Sequence, residues 1–283
     1  MAAHTLTLSC EDRPGIVAEV AGFLTRAGGN ITEAQQFDDA DTGRFFMRVE
    51  FVAEAASDAL AARFGAEVAG PWGMAAAVRP TGAPRRVLIL VSKFDHCAVD
   101  LIYRHRIGEL RMEPVGVISN HPLKALTLDP GRDIPFHHFP VTAETRAQQE
   151  DRIREVIAET GAELIVLARY MQVLSQGLSE DLAGRCINIH HSFLPGFKGA
   201  RPYHQAHARG VKMIGATAHL VTSDLDEGPI IAQDVEPVTH ADRPDDLVAK
   251  GRDIERRVLG RAVGWWLEDR VFQNESKTVV FAR

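Results

Sequence analysis

Cysteine is scarce in this sequence: Cys10, Cys97 and Cys186 are the only three in 283 residues. They stand far apart, form no CxxC pair and leave an odd count, which argues against a disulfide framework or a Cys-based structural zinc site. Runs of Lys and Arg are also missing, and 32 basic residues face 38 acidic ones for a net charge of −6. A nucleic-acid or anionic-membrane surface normally needs a basic field, so neither partner is expected. No apolar run reaches the ~18 residues of a membrane span, and MAAHTLTLSCEDRPG lacks the basic start and long apolar stretch of a secretory leader. A reduced, cytoplasmic protein is expected. No internal repeat or low-complexity segment interrupts the chain.

What remains has an ordinary globular composition, 45% hydrophobic and 25% charged. At ~100–200 residues per domain, the length allows two domains or one large one. Thr5–Leu8 alternate polar and apolar residues, Asp12-Arg13-Pro14-Gly15 interrupts them, and Ile16, Val20, Phe23 and Ala27 then recur at helical spacing up to Gly28-Gly29. Asn30–Phe37 reads as extended and Asp38–Gly43 as a turn. Next, Phe45, Met47, Val49 and Phe51 alternate with Arg44, Arg48 and Glu50, the pattern of a half-buried strand. Ser57 is placed to cap a second helix through Ala69, and Ala75–Val78 forms a last strand before Pro80-Thr81-Gly82-Ala83-Pro84. The predicted order is βαββαβ over residues 1–80, a linker at 81–86 and a second domain over 87–283.

In the second domain the grammar changes. Val87–Val91, Val115–Ile118 and Leu164–Leu167 are continuous apolar runs, as suits parallel strands covered on both faces. Thr142–Ala158 reads as an exposed amphipathic helix ending by Gly161. Met213–Thr222 and Ile230–Val238 read as longer strands around Asp226-Glu227-Gly228-Pro229, and Asp242–Leu267 as a long helix. The expected fold class is α/β: a ferredoxin-like βαββαβ domain followed by a Rossmann-like domain with a mostly parallel sheet.

The densest polar constellation, Asn188-Ile189-His190-His191-Ser192-Phe193-Leu194-Pro195, follows directly on a short apolar strand. Ligands in open α/β sheets bind at such carboxyl ends. Asn188 and His190 are two apart and so point to one side, where an amide and an imidazole can hold a carbonyl oxygen. Solvated loop histidines are the alternative. His219–Pro229, HLVTSDLDEGP, brings three acids, Asp224, Asp226 and Glu227. Asp226 reads either as a turn residue before Gly228 or as a proton-accepting carboxylate beside a histidine. His190, His191, His204, His207 and His219 match no HExxH or Cys-based set, so no metal is expected. His137-His138 reads as structural or surface, and Cys97 and Cys186 as small buried thiols.

The stretch Asn188–Gly228, NIHHSFLPGFKGARPYHQAHARGVKMIGATAHLVTSDLDEG, carries N-x-H, S-x-L-P-x-x-x-G, T-x-H and D-x-G in that order. It resembles the signature of the folate-dependent formyltransferase fold. The versions HHSF, KGARPYHQA and DEGPII resemble the formyltetrahydrofolate deformylases within that fold. Cys10–Val17, CEDRPGIV, resembles the opening of an ACT domain, with Glu11 where Pro is usual, and the pairing of the two modules is the deformylases' own. Glycinamide ribonucleotide formyltransferases carry a glycine-rich phosphate loop after the first strand. Here that place reads Val91-Ser92-Lys93-Phe94-Asp95-His96-Cys97, without glycine, so water replaces the phosphorylated acceptor. The basic C-terminal domain of methionyl-tRNA formyltransferases is not found after Leu267.

The resemblance implies hydrolysis of 10-formyltetrahydrofolate to formate and tetrahydrofolate, with Asn188, His190 and Asp226 as the catalytic triad and His219 and Ser192 in support. Met171, Gln172, Val173 and Leu174 would form one wall of the folate pocket, and Asp224 and Gly228 the other. Lys198, Arg201 and Tyr203 would shape a loop over the site or stand in solvent. No cofactor is implied, because the folate is the substrate. The ACT domain implies an amino-acid effector at Asp12, Arg13, Gly15, Ile16 and Asn30, with Pro14 at the first helical position, and a homo-oligomer. Two alternatives stay open: a formyltransferase to an unphosphorylated amine, and an inactive folate-binding sensor.

Overall fold

Leu6 and Leu8 alternate with half-buried Thr7 and Ser9 along β1 (Ala2–Glu11), and that alternation sets which face of the first sheet meets its helices. In the computed structural model, which describes residues 1–194 and 202–282, β1 is followed by α1 (Ile16–Arg26), β2 (Asn30–Asp39) and β3 (Arg44–Ala53). Then come α2 (Ser57–Phe64), a π-helical turn (Gly65–Ala69), the single turn α3 (Gly70–Trp72) and β4 (Ala75–Pro80). The sheet order is β2-β3-β1-β4, antiparallel throughout. Leu6, Leu8, Val20, Phe23, Leu24, Leu60 and Phe64 fill the core between sheet and helices. The βαββαβ order expected from the pattern is the order found.

Three local expectations are corrected. Pro14 is not the first helical residue: the cap of α1 is Gly15, at φ 98°, and the helix starts at Ile16. Ser57 does not cap α2. The cap position is Ala56, and the Ser57 hydroxyl instead meets Nδ1 of buried His4 at 2.8 Å. Strand β3 is not half-buried, because Phe46 and Arg48 on its polar face are closed off as thoroughly as Phe45 and Met47. The chain returns to cover that face. Glu268–Phe272 and the described residues from Val279 on belong to this first unit, with Pro84–Leu267 and Gln273–Thr278 forming the second. Arg48 donates through Nε to the Glu268 carbonyl, and Phe46 packs edge-on against Phe272. The division therefore differs from a single break at residues 81–86.

The second unit opens with β5 (Arg85–Val91), two residues earlier than the apolar run suggested. It continues through α4 (His96–Arg106), β6 (Met112–Ser119), β7 (Phe136–His138), α5 (Arg146–Thr160), β8 (Leu164–Leu167) and α6 (Gln176–Asp181). Then follow β9 (Cys186–His190), α7 (Pro202–Arg209), β10 (Met213–Leu220), β11 (Ile230–Pro237) and α8 (Pro244–Leu267). The hairpin strands β12 (Val271–Asn274) and β13 (Lys277–Val280) end the chain. Sheet order is β11-β10-β9-β8-β5-β6-β7, with β5 to β9 mutually parallel and β10 antiparallel to both neighbours. The continuous apolar runs are explained by this placement: β5 and β8 are central strands covered on both faces. His137 lies in β7, a three-residue edge strand too short to show an apolar pattern in the sequence. No helix among the described residues is long and apolar enough to cross a membrane.

Candidate active site

Strand order reverses between β5 and β8, and the crevice beyond the carboxyl ends of strands at such a switch point is where open α/β sheets bind ligands. A cavity of about 360 Å³ opens there, lined by the turn after β8, the end of β9 and the loop between β10 and β11. Asn188 and His190 both line it, as their two-residue spacing predicts, and His219 stands directly across the ladder from Asn188.

The polar side chains order one another. His219 Nδ1 is 2.9 Å from the Leu220 carbonyl, which only accepts, so Nδ1 carries the proton. In the neutral ring this leaves Nε2 as the acceptor for the Asn188 amide at 3.2 Å, which fixes which end of that amide is nitrogen. His190 Nδ1 lies 3.2 Å from Asp226 Oδ1, and Asp226 Oδ1 is 3.7 Å from His219 Nε2. The other His190 nitrogen, Nε2, is buried and has no hydrogen-bond partner among the described residues. Burial works against the Asp226 carboxylate, but the hydrogen bond and charge of His190 hold the carboxyl well below its usual range. His191 stacks on His190, ring centroids 5.0 Å apart. Burial, then Arg169 and His190, lowers the His191 ring to about 4.

Two of the four non-glycine residues at positive φ among the described residues, Arg169 (65°) and Asp226 (59°), line this cavity. Strain of that kind persists where surrounding contacts hold it. Two residues after Asp226, Gly228 lies so close to the Leu220 carbonyl that a Cβ there would stand 1.8 Å from the oxygen. Gly228 therefore belongs to the loop's packing and does not line the cavity, contrary to its expected place in the folate wall.

The other wall is the segment expected. Met171, Gln172, Val173 and Leu174 all line the cavity, and so does Asp224. Ser92, at the end of β5, ties the segment down: its N–H donates to the Arg169 carbonyl and its hydroxyl accepts from the Met171 N–H. Met171, Val173 and Leu225 remain more than half exposed around the opening, an apolar rim suited to a flat ring. Ser192 does not line the cavity. Its carbonyl accepts from the Thr217 hydroxyl, so its support is to the chain after His190.

The place after β5 is filled by protein groups. The Asp95 carboxylate accepts from the N–H groups of Thr127 and Leu128, and His96 Nε2 is 2.8 Å from buried Glu255. Among the described residues His96, Cys97 and Glu255 form the one trio with metal-ligand proximity, donor atoms within 4.8 Å. The carboxylate of that trio is already taken by His96, Arg169 and the Tyr203 hydroxyl, and the Cys97 thiol is pushed well up by burial. Tyr203 is thus buried against Glu255, whereas Lys198 and Arg201 lie outside the described residues. In the sequence the one signal for Glu255 is a carboxylate on the apolar stripe of a helix, four residues after Gly251.

At the first unit, Asp12 N–H donates to the Gly43 carbonyl and the Ile16 side chain is core. Arg13 lies over the Trp72 ring at 4.2 Å and donates to the Trp72 carbonyl, and Gly15 faces the same indole. Asn30 is exposed at the start of β2. The structure brings Arg13 and Gly15 together at Trp72, a residue the sequence reading did not single out.

Comparison with known proteins agrees with this geometry. The formyl transferase family model matches residues 85–263 and the ACT domain model residues 4–67. A formyltetrahydrofolate deformylase of Corynebacterium sp. (strain P-1) is 52% identical over 98% of this chain and 97% of its own length. The crystal structure of a formyltetrahydrofolate deformylase from Burkholderia mallei superimposes with a TM-score of 0.95 at 53% identity, covering 100% of both chains. A glycinamide ribonucleotide transformylase from Symbiobacterium toebii matches less closely, with a TM-score of 0.64 at 26% identity over 72% of this chain and 97% of that one. With full-length likeness to one group and partial likeness to the other, the chain belongs to the formyltetrahydrofolate deformylase family.

Proposed function

We propose that this protein hydrolyses 10-formyltetrahydrofolate to formate and tetrahydrofolate, and so supplies formate for one-carbon metabolism and purine biosynthesis. The observation that carries the reading is the meeting of Asn188, His190 and Asp226 at one end of a cavity with an apolar rim. The formyl carbonyl oxygen sits between the Asn188 amide and His190 Nε2, and the folate ring lies against the Met171–Leu174 wall. Water attacks the formyl carbon, and the two donors stabilise the oxyanion of the tetrahedral intermediate. One donor of that kind is worth ~2.7–4 kcal/mol. Asp226 orients His190 and takes the proton of the attacking water, and the imidazole gives a proton to the departing nitrogen as the carbon–nitrogen bond breaks.

No metal enters this scheme, because a carboxylate and imidazole pair can activate water for attack on a formamide-like carbon. Water rather than a phosphorylated amine is the acceptor. The region after β5 supports this, because the Thr127 and Leu128 N–H groups there are taken by the Asp95 carboxylate and not left for a phosphate. The test is formate release from 10-formyltetrahydrofolate by metal-stripped protein with no acceptor added and Asp226→Asn as control. Release by wild type alone supports the hydrolase. Folate binding without release points to a formyltransferase awaiting an amine, or to a sensor.

The first unit is read as an amino-acid sensor whose effector lies near Arg13, Gly15 and the amino end of α1, with Asp12, Ile16 and Asn30 flanking it, and as the contact that forms a homo-oligomer. A cytoplasmic location is part of the same reading. A thermal-shift panel of amino acids on the full-length protein tests the sensor, and sedimentation tests the assembly.

A further inference from the structure

Glu255 lies along α8, 1% exposed, on the stripe that also buries Gly251, Ile254, Val258 and Leu259. A carboxylate buried in that way is costly unless its oxygens are occupied. Three segments occupy them. His96, the first residue of α4, brings Nε2 to 2.8 Å; Arg169, in the turn after β8, brings Nε to 3.3 Å; Tyr203, in α7, donates its hydroxyl at 2.6 Å. Gly251 lets the Tyr203 ring cross α8, since a Cβ there would stand 2.1 Å from the ring. One carboxylate thus gathers groups from beyond β5, β8 and β9. Of these groups Arg169 is itself a cavity residue, at a left-handed φ of 65°. Its Nε and Nη1 are buried without a hydrogen-bond partner among the described residues, so charge attraction to Glu255 holds the guanidinium there.

We propose that Glu255 is a positioning residue for the hydrolysis: it holds Arg169 in the cavity wall and, through Arg169, fixes the turn that begins the folate wall. This rests on the hydrolytic reading above. Arg169 disfavours a second positive charge at His191, so a neutral ring lies against His190 when charge develops on it. The other charged groups facing His191 are His190, which acts in the same sense as Arg169, and Glu255 and Asp226, which oppose it.

The experiment uses the full-length chain with Glu255→Gln, Arg169→Gln and Arg169→Lys, measuring formate release across pH with kcat and KM separated. Glu255→Gln keeps the side-chain shape and lowers kcat/KM on the order of 10²-fold through misplacement of the turn. Arg169→Gln also moves the acid limb of kcat/KM to higher pH, whereas Glu255→Gln does not raise it and Arg169→Lys keeps the wild-type limb. A merely structural role predicts lower thermal stability with superimposable pH profiles in every variant, and that result overturns the proposal. If Glu255→Gln does not fold, the Arg169 pair decides the matter alone. Absence of formate from wild type sinks the hydrolytic reading and this proposal with it; wild-type turnover with unmoved limbs sinks this proposal only.

Discussion

The Asn188 amide donates to Nε2 of His219 while the opposite nitrogen of that ring donates to the Leu220 backbone, so a backbone carbonyl fixes the orientation of a side chain at the reacting centre. His219 reaches this place because β10 runs antiparallel to β9 and sets the two residues directly opposite. His219→Ala removes the acceptor that orients the amide. On the proposed mechanism it lowers kcat about 10- to 30-fold, equivalent to ~1.5–2 kcal/mol of lost donor alignment. Folate affinity stays within a few-fold. Steady-state kinetics that show a raised KM with unchanged kcat contradict this role.

Asp226→Asn tests the carboxylate with little disturbance of the backbone, because Asn tolerates the left-handed conformation at φ 59°. Turnover falls by about 10³-fold or more, with folate binding nearly unchanged. The stability effect has a definite sign. A carboxyl held below its ordinary value in the folded chain contributes stability that is fully present above the unfolded value and lost as pH falls through the folded one. The variant is therefore less stable than wild type at neutral pH, and the gap closes on acidification. Urea midpoints measured at neutral and acid pH check it.

How far the site was legible in the sequence depends on where its constraints lie. Asn188, His190 and Asp226 were readable because two of them share a strand face and the third sits in a short signature loop. Glu255 was not, since a glutamate in a charged helix looks solvated until the packing shows which stripe is buried. The burial of Arg48 was equally hidden. Alternation along β3 separates two faces but does not say that Glu268–Phe272 come back to cover the polar one. Gly228 shows the opposite failure: its motif position was correct, and its reason, the approach to Leu220, is visible only in three dimensions.

Gly228→Ala separates packing from ligand contact. The added Cβ meets the Leu220 backbone oxygen, which cannot move aside without disturbing the ladder between β9 and β10, and overpacking of this kind costs about 1–3 kcal/mol. Thermal denaturation then shows a lower midpoint, and turnover falls because Asp226 is displaced from His190. A variant with wild-type stability but weakened folate binding returns Gly228 to the ligand wall.

The apolar rim offers the last test, because Met171, Val173 and Leu225 gain nothing from exposure in the free protein. Covering such side chains with a flat ring removes apolar surface from water at roughly 25 cal/mol per Å². Leu225, 59% exposed, has little folding role at its tip, so Leu225→Ser leaves the denaturation midpoint within about a degree. On the proposed mode of binding it weakens folate about 5- to 10-fold, close to 1 kcal/mol, and leaves kcat within a factor of about two. Fluorescence titration with tetrahydrofolate reads the affinity directly. Unchanged affinity in Leu225→Ser and Val173→Ser together removes the folate from this side of the cavity, and with it the assignment of the Met171–Leu174 wall.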